Sequence, residues 1–202
     1  MFEKLSHLFT PAVRSLPLFP LSAVLFPGGR MPLKIFEQRY LDLAKTCLKD
    51  NTTFGVCGIR EGSEVGEPAI PYEVGTEARI VEWDMPQPGI LHVIVEGMQR
   101  YVARSWEAQP NGLLLAQTET VSAEKPCAIP EESRLCSAVL KHLLSDHHIE
   151  PPQTHYDDAV WVSYRLSELL PFKPKIKQDL LEMNDSVTRL RIINQFLRQN
   201  AK

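Results

Sequence analysis

Residues 16–40 read LPLFPLSAVLFPGGRMPLKIFEQRY, and this stretch decides the fold. Four prolines (Pro17, Pro20, Pro27 and Pro32) and the pair Gly28-Gly29 interrupt an otherwise apolar run, and Pro11 lies just before it. Proline fixes φ and offers no main-chain donor, so the stretch cannot be one continuous strand or helix. It predicts short extended pieces at Leu16–Leu18, Val24–Phe26 and Met31–Ile35, with a turn at Phe26-Pro27-Gly28. A helix follows over Glu37–Lys49, with Tyr40 or Leu41, Ala44 and Leu48 on one face. A segment that kinks at fixed points and then enters a helix specifies one chain path.

Working outward, all ten glycines lie at or before Gly112. Glycine serves turns and bulges, which sheets need often and helix bundles rarely. The chain therefore divides into a β-rich part, residues 1–122, and a helical part, residues 123–202. The boundary is SAEKPCAIPE, where two prolines stop any continuing element. In the first part, Phe54–Ile59 reads as a buried strand and Tyr72–Trp83 as a partly alternating one. Gln87-Pro88-Gly89 and Pro110-Asn111-Gly112 read as turns. Ile90–Glu96 and Arg100–Trp106 read as two strands reversing at Gly97, and Leu113–Val121 as the last. Together they make a compact barrel or curled sheet. The second part reads as four helices: Glu131–Asp146, His155–Leu170, Lys175–Met183 and Ser186–Gln199, the last capped by Asp185. The fold class expected is α+β.

At 202 residues the chain can bury a substantial core. Its net charge of -3, with both signs mixed, gives no basic face for nucleic acid. No apolar run approaches the ~20 residues of a membrane span, and MFEKLSHLFT lacks the pattern of a secretory leader. Cys47, Cys57, Cys127 and Cys136 fit no zinc spacing and read as buried reduced thiols, which suits the cytoplasm.

Motifs for catalysis are absent. The chain has no phosphate-binding G-x-x-x-x-G-K-[ST], no G-x-S-x-G elbow, no H-E-x-x-H and no G-x-G-x-x-G. Gly55-Val56-Cys57-Gly58 lies in an apolar strand pattern and reads as close backbone approach. His142, Asp146, His147, His148 and His155 are weighed as a metal cluster and read as a solvated helix end, so no metal and no cofactor is expected. Asp157 and Asp158 suit a helix start. Glu61, Glu64 and Glu67 read as a wet loop, and Lys173, Lys175 and Lys177 as a helix start on a polar face. Trp83, Met85 and Pro86 lead into the Gln87-Pro88-Gly89 turn. They either fold back onto the sheet or remain exposed, and exposed apolar patches mark binding sites.

The opening block resembles the start of the amino-terminal, substrate-binding domain of the ATP-dependent Lon (La) proteases, and resembles their stand-alone bacterial relatives most. The matching elements are Leu16–Pro20, Val24–Gly28, Pro32-Leu33, Ile35–Glu37 and Arg39-Tyr40. Later blocks match too: Phe54–Val56, Val74–Ile80, Val95–Tyr101, Leu169–Pro171, Lys177–Glu182 and Arg189-Leu190. The resemblance implies a PUA-like β-barrel followed by an α-helical bundle. It implies recognition of unfolded or peptide segments without proteolysis, since ATPase and Ser–Lys peptidase parts are missing. It also implies service to a partner protease or chaperone. The candidate peptide-binding residues are Trp83, Met85 and Pro86 at the turn, with Phe36 and Tyr40 from the opening block, which otherwise pack to set the fold. An RNA-binding PUA-like module is the alternative reading, and a small hydrolase a third.

Overall fold

The computed structural model describes residues 13–200. The sheet comes first, as β1 (Arg14–Leu21), β2 (Arg30–Ile35), β3 (Phe54–Glu61), β4 (Ile70–Gln87), β5 (Ile90–Ala108) and β6 (Leu114–Thr120), with α1 (Gln38–Asp50) inserted after β2. The helices α2 (Arg134–Asp146), α3 (Ala159–Leu169), α4 (Pro174–Glu182) and α5 (Ser186–Asn200) follow. The class is α+β, in line with the glycine distribution.

β1 pairs with β3 and β6, β3 with β4, and β4 with β5, and β5 closes back on β6. The five strands make a closed barrel, and β2 lies against β5 outside that circuit. β1 and β3 are parallel. Parallel neighbours need a crossover rather than a tight turn, and the chain through β2 and α1 supplies it.

Two sequence expectations are corrected here. Val24–Phe26 belongs to no strand. Its side chains are divided between two cores: Leu25 joins Phe19, Leu33, Val95 and the buried residues of α1, whereas Val24 and Phe26 join Leu140, Leu166 and Ile193 among the helices. Gly97 makes no reversal either, because β5 runs unbroken through it. The glycine is there for close approach. Gly28 N–H donates to Gly97 O at 2.7 Å, and Gly97 N–H donates to Gly29 O at 2.8 Å. A Cβ at position 97 would sit on the Phe26 carbonyl. Between Gly97 and Arg100 the register with β4 slips, a bulge that bends the strand around the barrel.

Gly55 makes room in the way the sequence suggests. With Gly75 it flanks the fully buried Tyr101 ring, whose hydroxyl would lie 2.6 Å from a Cβ on Gly55.

The starts of α3 and α5 are set by side-chain caps. Asp158 accepts from Val160 N–H at 3.0 Å, so α3 begins at Ala159 rather than at His155. A bridge between Ala128 and Asp158 holds Asp158 extended, directly after a turn in which Asp158 N–H donates to His155 O at 3.0 Å. Asp185 accepts from Val187 N–H at 3.0 Å and Thr188 N–H at 3.2 Å, the cap that the sequence predicts for α5. A short 3-10 turn, Glu131–Ser133, leads into α2.

Barrel and helices meet through buried arginines. Arg100 on β5 donates to Leu181 O and Met183 O, both at 2.8 Å. Arg189 on α5, with no exposed side chain, donates to Leu180 O at 3.0 Å and Met183 O at 2.7 Å. These carbonyls end α4, where the helix dipole is negative and favours cations. Glu124 sits between both guanidinium groups and accepts from Tyr164 Oη at 2.7 Å.

Cys47, Cys57, Cys127 and Cys136 are free thiols, and burial pushes Cys57 up to about 12 and Cys136 to about 11. Among the described residues no helix is long and apolar enough to cross a membrane.

Candidate functional site

The hairpin between β4 and β5 projects its tip into solvent. Trp83 is 61% exposed and Met85 51% exposed, so neither folds back onto the sheet. Both lie near the end of β4 where the hairpin leaves the core, and every residue from Glu82 to Gly89 is exposed. Trp83 and Met85 form one wall of a hollow of about 610 Å³; Leu41, Lys45 and Leu48 of α1 form the other. Pro86 is exposed at the tip beside them and lines none of the hollows.

Trp83 also borders a second hollow, about 450 Å³, floored by Pro32, Leu33 and Lys34 of β2. Those three β2 residues are shared with a third hollow of about 320 Å³, which holds Phe36, Tyr40 and Val65. Shared walls join the three into one apolar track around the start of α1. Phe36 is half exposed on it. Tyr40 contributes only an edge: its ring stacks on Phe19 with centroids 4.0 Å apart, and burial pushes its hydroxyl up to about 12. Of the five residues singled out by sequence, Trp83, Met85 and Phe36 line these hollows, Tyr40 contributes an edge from the core, and Pro86 lines none of them.

Several of the other polar groups weighed in the sequence have structural partners. His142 Nε2 and Asp146 Oδ2 lie 3.2 Å apart on an exposed helix face, and among the described residues no three His, Cys, Asp or Glu side chains gather to hold a metal. Glu64 accepts from Ser22 N–H at 2.6 Å. Lys175 pairs with Asp179, whereas Lys177 Nζ turns inward to Glu168 O at 2.7 Å.

A cleft that sequence reasoning missed lies between the loop after β1 and the helices. Its volume is about 450 Å³, and its lining includes Val24, Met31, Leu144, Ile149, Leu169 and Phe172. Five charged residues line it, Arg30, Glu150, Arg165, Glu168 and Lys177, of which Arg165, Glu168 and Lys177 come from the helices α3 and α4. Arg165 Nη2 donates to Pro27 O at 2.8 Å and to Glu168 Oε1 at 3.0 Å, and Nη1 donates to Gly28 O. Burial raises the Glu168 carboxyl to about 7 despite the attraction of Arg165 and Lys177. Burial also lowers both Lys177 and Arg165. One signal was present in the chain: Arg165 and Glu168 are the only charged residues in AVWVSYRLSEL, spaced to share a face.

Comparison with known proteins agrees with this architecture. The profile of the ATP-dependent protease La (LON) substrate-binding domain matches residues 15–199. Among solved structures, the Lon N-terminal domain protein from Xanthomonas campestris superposes with a TM-score of 0.76 at 34% identity, covering 92% of this chain and 98% of that one. The N-terminal domain of Mycobacterium avium complex Lon protease shares the fold, with a TM-score of 0.64 over 93% of this chain and 100% of that one, at 16% identity. Lon protease of Cytophaga hutchinsonii is 25% identical over 86% of this chain but only 23% of its own length. The chain thus spans about a quarter or less of the curated Lon proteases that it matches. On the profile match and the fold together, the chain belongs to the family of Lon substrate-binding domains.

Proposed function

We propose that this protein is a non-catalytic module that recognises exposed apolar segments of other polypeptides. The observation that carries the reading is the apolar track: three hollows joined through Pro32–Lys34 and Trp83, in a member of a substrate-binding family. A large exposed tryptophan and methionine on a rigid hairpin suit sequence-tolerant contact, since aromatic area costs little side-chain entropy and methionine adapts its shape. Lys45 and Lys49 on one side and Glu82 and Asp84 on the other give the track a mixed polar rim, which tunes specificity more than affinity. A phosphate backbone finds no basic stripe there, and the net charge of -3 opposes it. The partners that follow are unfolded or peptide segments, handed on to a protease or chaperone in the cytoplasm. In this reading the barrel part, residues 1–122, carries the recognition surface and the helical part, 123–202, braces it.

The test is fluorescence titration with a panel of unfolded apolar peptides. Trp106 and Trp161 also emit, so Trp83→Phe serves as the control that isolates the reporter. Saturable changes with Kd values in the micromolar to millimolar range, absent in Trp83→Phe, are expected. A flat response of the native protein across the whole panel refutes the reading.

A further inference from the structure

We propose that the cleft between the β1–β2 loop and the helices is a second binding site, for a carboxylate carried on a short apolar chain. The walls are apolar, from Met31, Leu144, Ile149, Leu169 and Phe172, and the volume of about 450 Å³ is that of a small-ligand site. The polar groups at its end suit an anion. Arg165 is buried to 6% exposure and its Nε has no hydrogen-bond partner. Lys177 lines the same cleft from α4, and so does Pro174, the first residue of that helix. The start of α4 carries no side-chain cap and no acidic residue in its first turn, so its positive end is uncompensated there.

The charges that face the cleft are Arg30 from β2, Arg165 and Glu168 from α3, Lys177 from α4 and Glu150 from the segment after α2. Three are basic and two acidic. Glu168 is itself driven towards its neutral carboxyl by burial. In that form it repels no anion and can donate a hydrogen bond to one. The loop wall, Ser22–Leu25, belongs to no strand; Ser22 N–H and Leu25 O are bonded to Glu64 and Thr76.

The same chemistry could come from a free medium-chain acid or from the apolar carboxy terminus of a peptide. The experiment follows backbone amide resonances of the full chain during titration with octanoate, octanol and octylamine. Two further arms use an apolar tripeptide with a free and with an amidated carboxy terminus. Saturable shifts at Leu144, Ile149, Leu169 and Phe172, with octanoate at least about tenfold tighter than octanol and octylamine, support the site. Lys177→Gln should weaken octanoate about tenfold and leave octanol unchanged. The free tripeptide binding as octanoate does assigns the ligand to polypeptide ends; octanoate alone binding assigns it to free acids. Equal affinity for octanoate and octanol, or octanoate shifts centred on Trp83 and Leu48 instead, overturns the proposal. Because the apolar track is read separately through Trp83, either site can fail without the other.

Discussion

Replacing Arg189 with methionine tests the account of how barrel and helices are joined. The guanidinium is fully buried, donates to Leu180 O, Met183 O, Ser163 Oγ and Glu124, and lies 4.2 Å from the Tyr164 ring centre. Methionine keeps much of the packing volume but leaves Leu180 O without its side-chain donor, whereas Met183 O keeps Arg100 Nη1 at 2.8 Å. Each unpaired buried acceptor costs ~1–3 kcal/mol. Glu124 is spared isolation, because Arg100 at 3.6 Å and Tyr164 at 2.7 Å remain. The expected loss is therefore ~3–5 kcal/mol, the range for breaking a buried charge pair from one side. Glu124→Gln should cost ~3 kcal/mol, because it leaves two buried arginines facing a neutral amide. In the double variant the second change meets a network already broken, so the combined loss should fall short of the sum by at least ~1 kcal/mol. Urea unfolding followed by far-ultraviolet circular dichroism measures all three. A loss below ~1 kcal/mol for Arg189→Met, or strict additivity in the double variant, refutes the reasoning.

Gly97→Ala should destabilise by ~3 kcal/mol, because the new methyl meets the Phe26 carbonyl and the two main-chain bonds to the Gly28-Gly29 turn must lengthen; thermal unfolding checks it. Glu168 has a folded pKa near 7 against its ordinary 4.5. Its contribution is therefore fully present below pH 4.5 and lost as pH rises through 7, by up to ~3 kcal/mol. Unfolding midpoints of native protein and Glu168→Gln should accordingly diverge between pH 4.5 and 7, with the native protein losing ground. The reverse slope contradicts the assignment. Trp83→Ala combined with Met85→Ala should leave stability within ~0.5 kcal/mol, since both side chains are exposed, while weakening apolar peptides about tenfold or more by titration calorimetry.

How legible the molecule was depends on whether a residue acts through pattern or through distant contact. The class and the helical half were legible because glycine distribution and 3.6-residue periodicity are local signals. The cap at Asp185 was legible for the same reason, whereas Asp158 was placed inside the first turn of its helix rather than at the cap, and the exposure of Trp83 was left open. Gly97 was misread because a glycine between two apolar runs signals a tight turn equally well. Only the partner 68 residues away, Gly29, shows that the strand runs on. Val24–Phe26 looks extended and apolar, but nothing local says that Leu25 faces one core and its two neighbours the other. The cleft at Glu168 was invisible for a related reason. Its walls come from the β1–β2 loop, α2, α3 and α4, and its carboxyl is shifted by burial that only the assembled fold creates.

The opening stretch is used through its backbone as well as through its buried side chains. Leu25 O accepts from Thr76 Oγ1 at 2.6 Å, Pro27 O and Gly28 O accept from Arg165, and Gly28 N–H and Gly29 O bind Gly97. Barrel, turn and helices are thus tied to main-chain atoms that every residue possesses, and prolines and glycines fix where those atoms point. Side chains are constrained only where they enter a core, as Leu25 and Phe26 do. The track around Trp83, Met85 and Phe36 has the opposite character: exposed side chains on a backbone held by other residues. Substitution at the rim can therefore change what is recognised without loosening the frame. Substitution in the opening stretch loosens the frame and, through Arg165, also moves the wall of the second cleft.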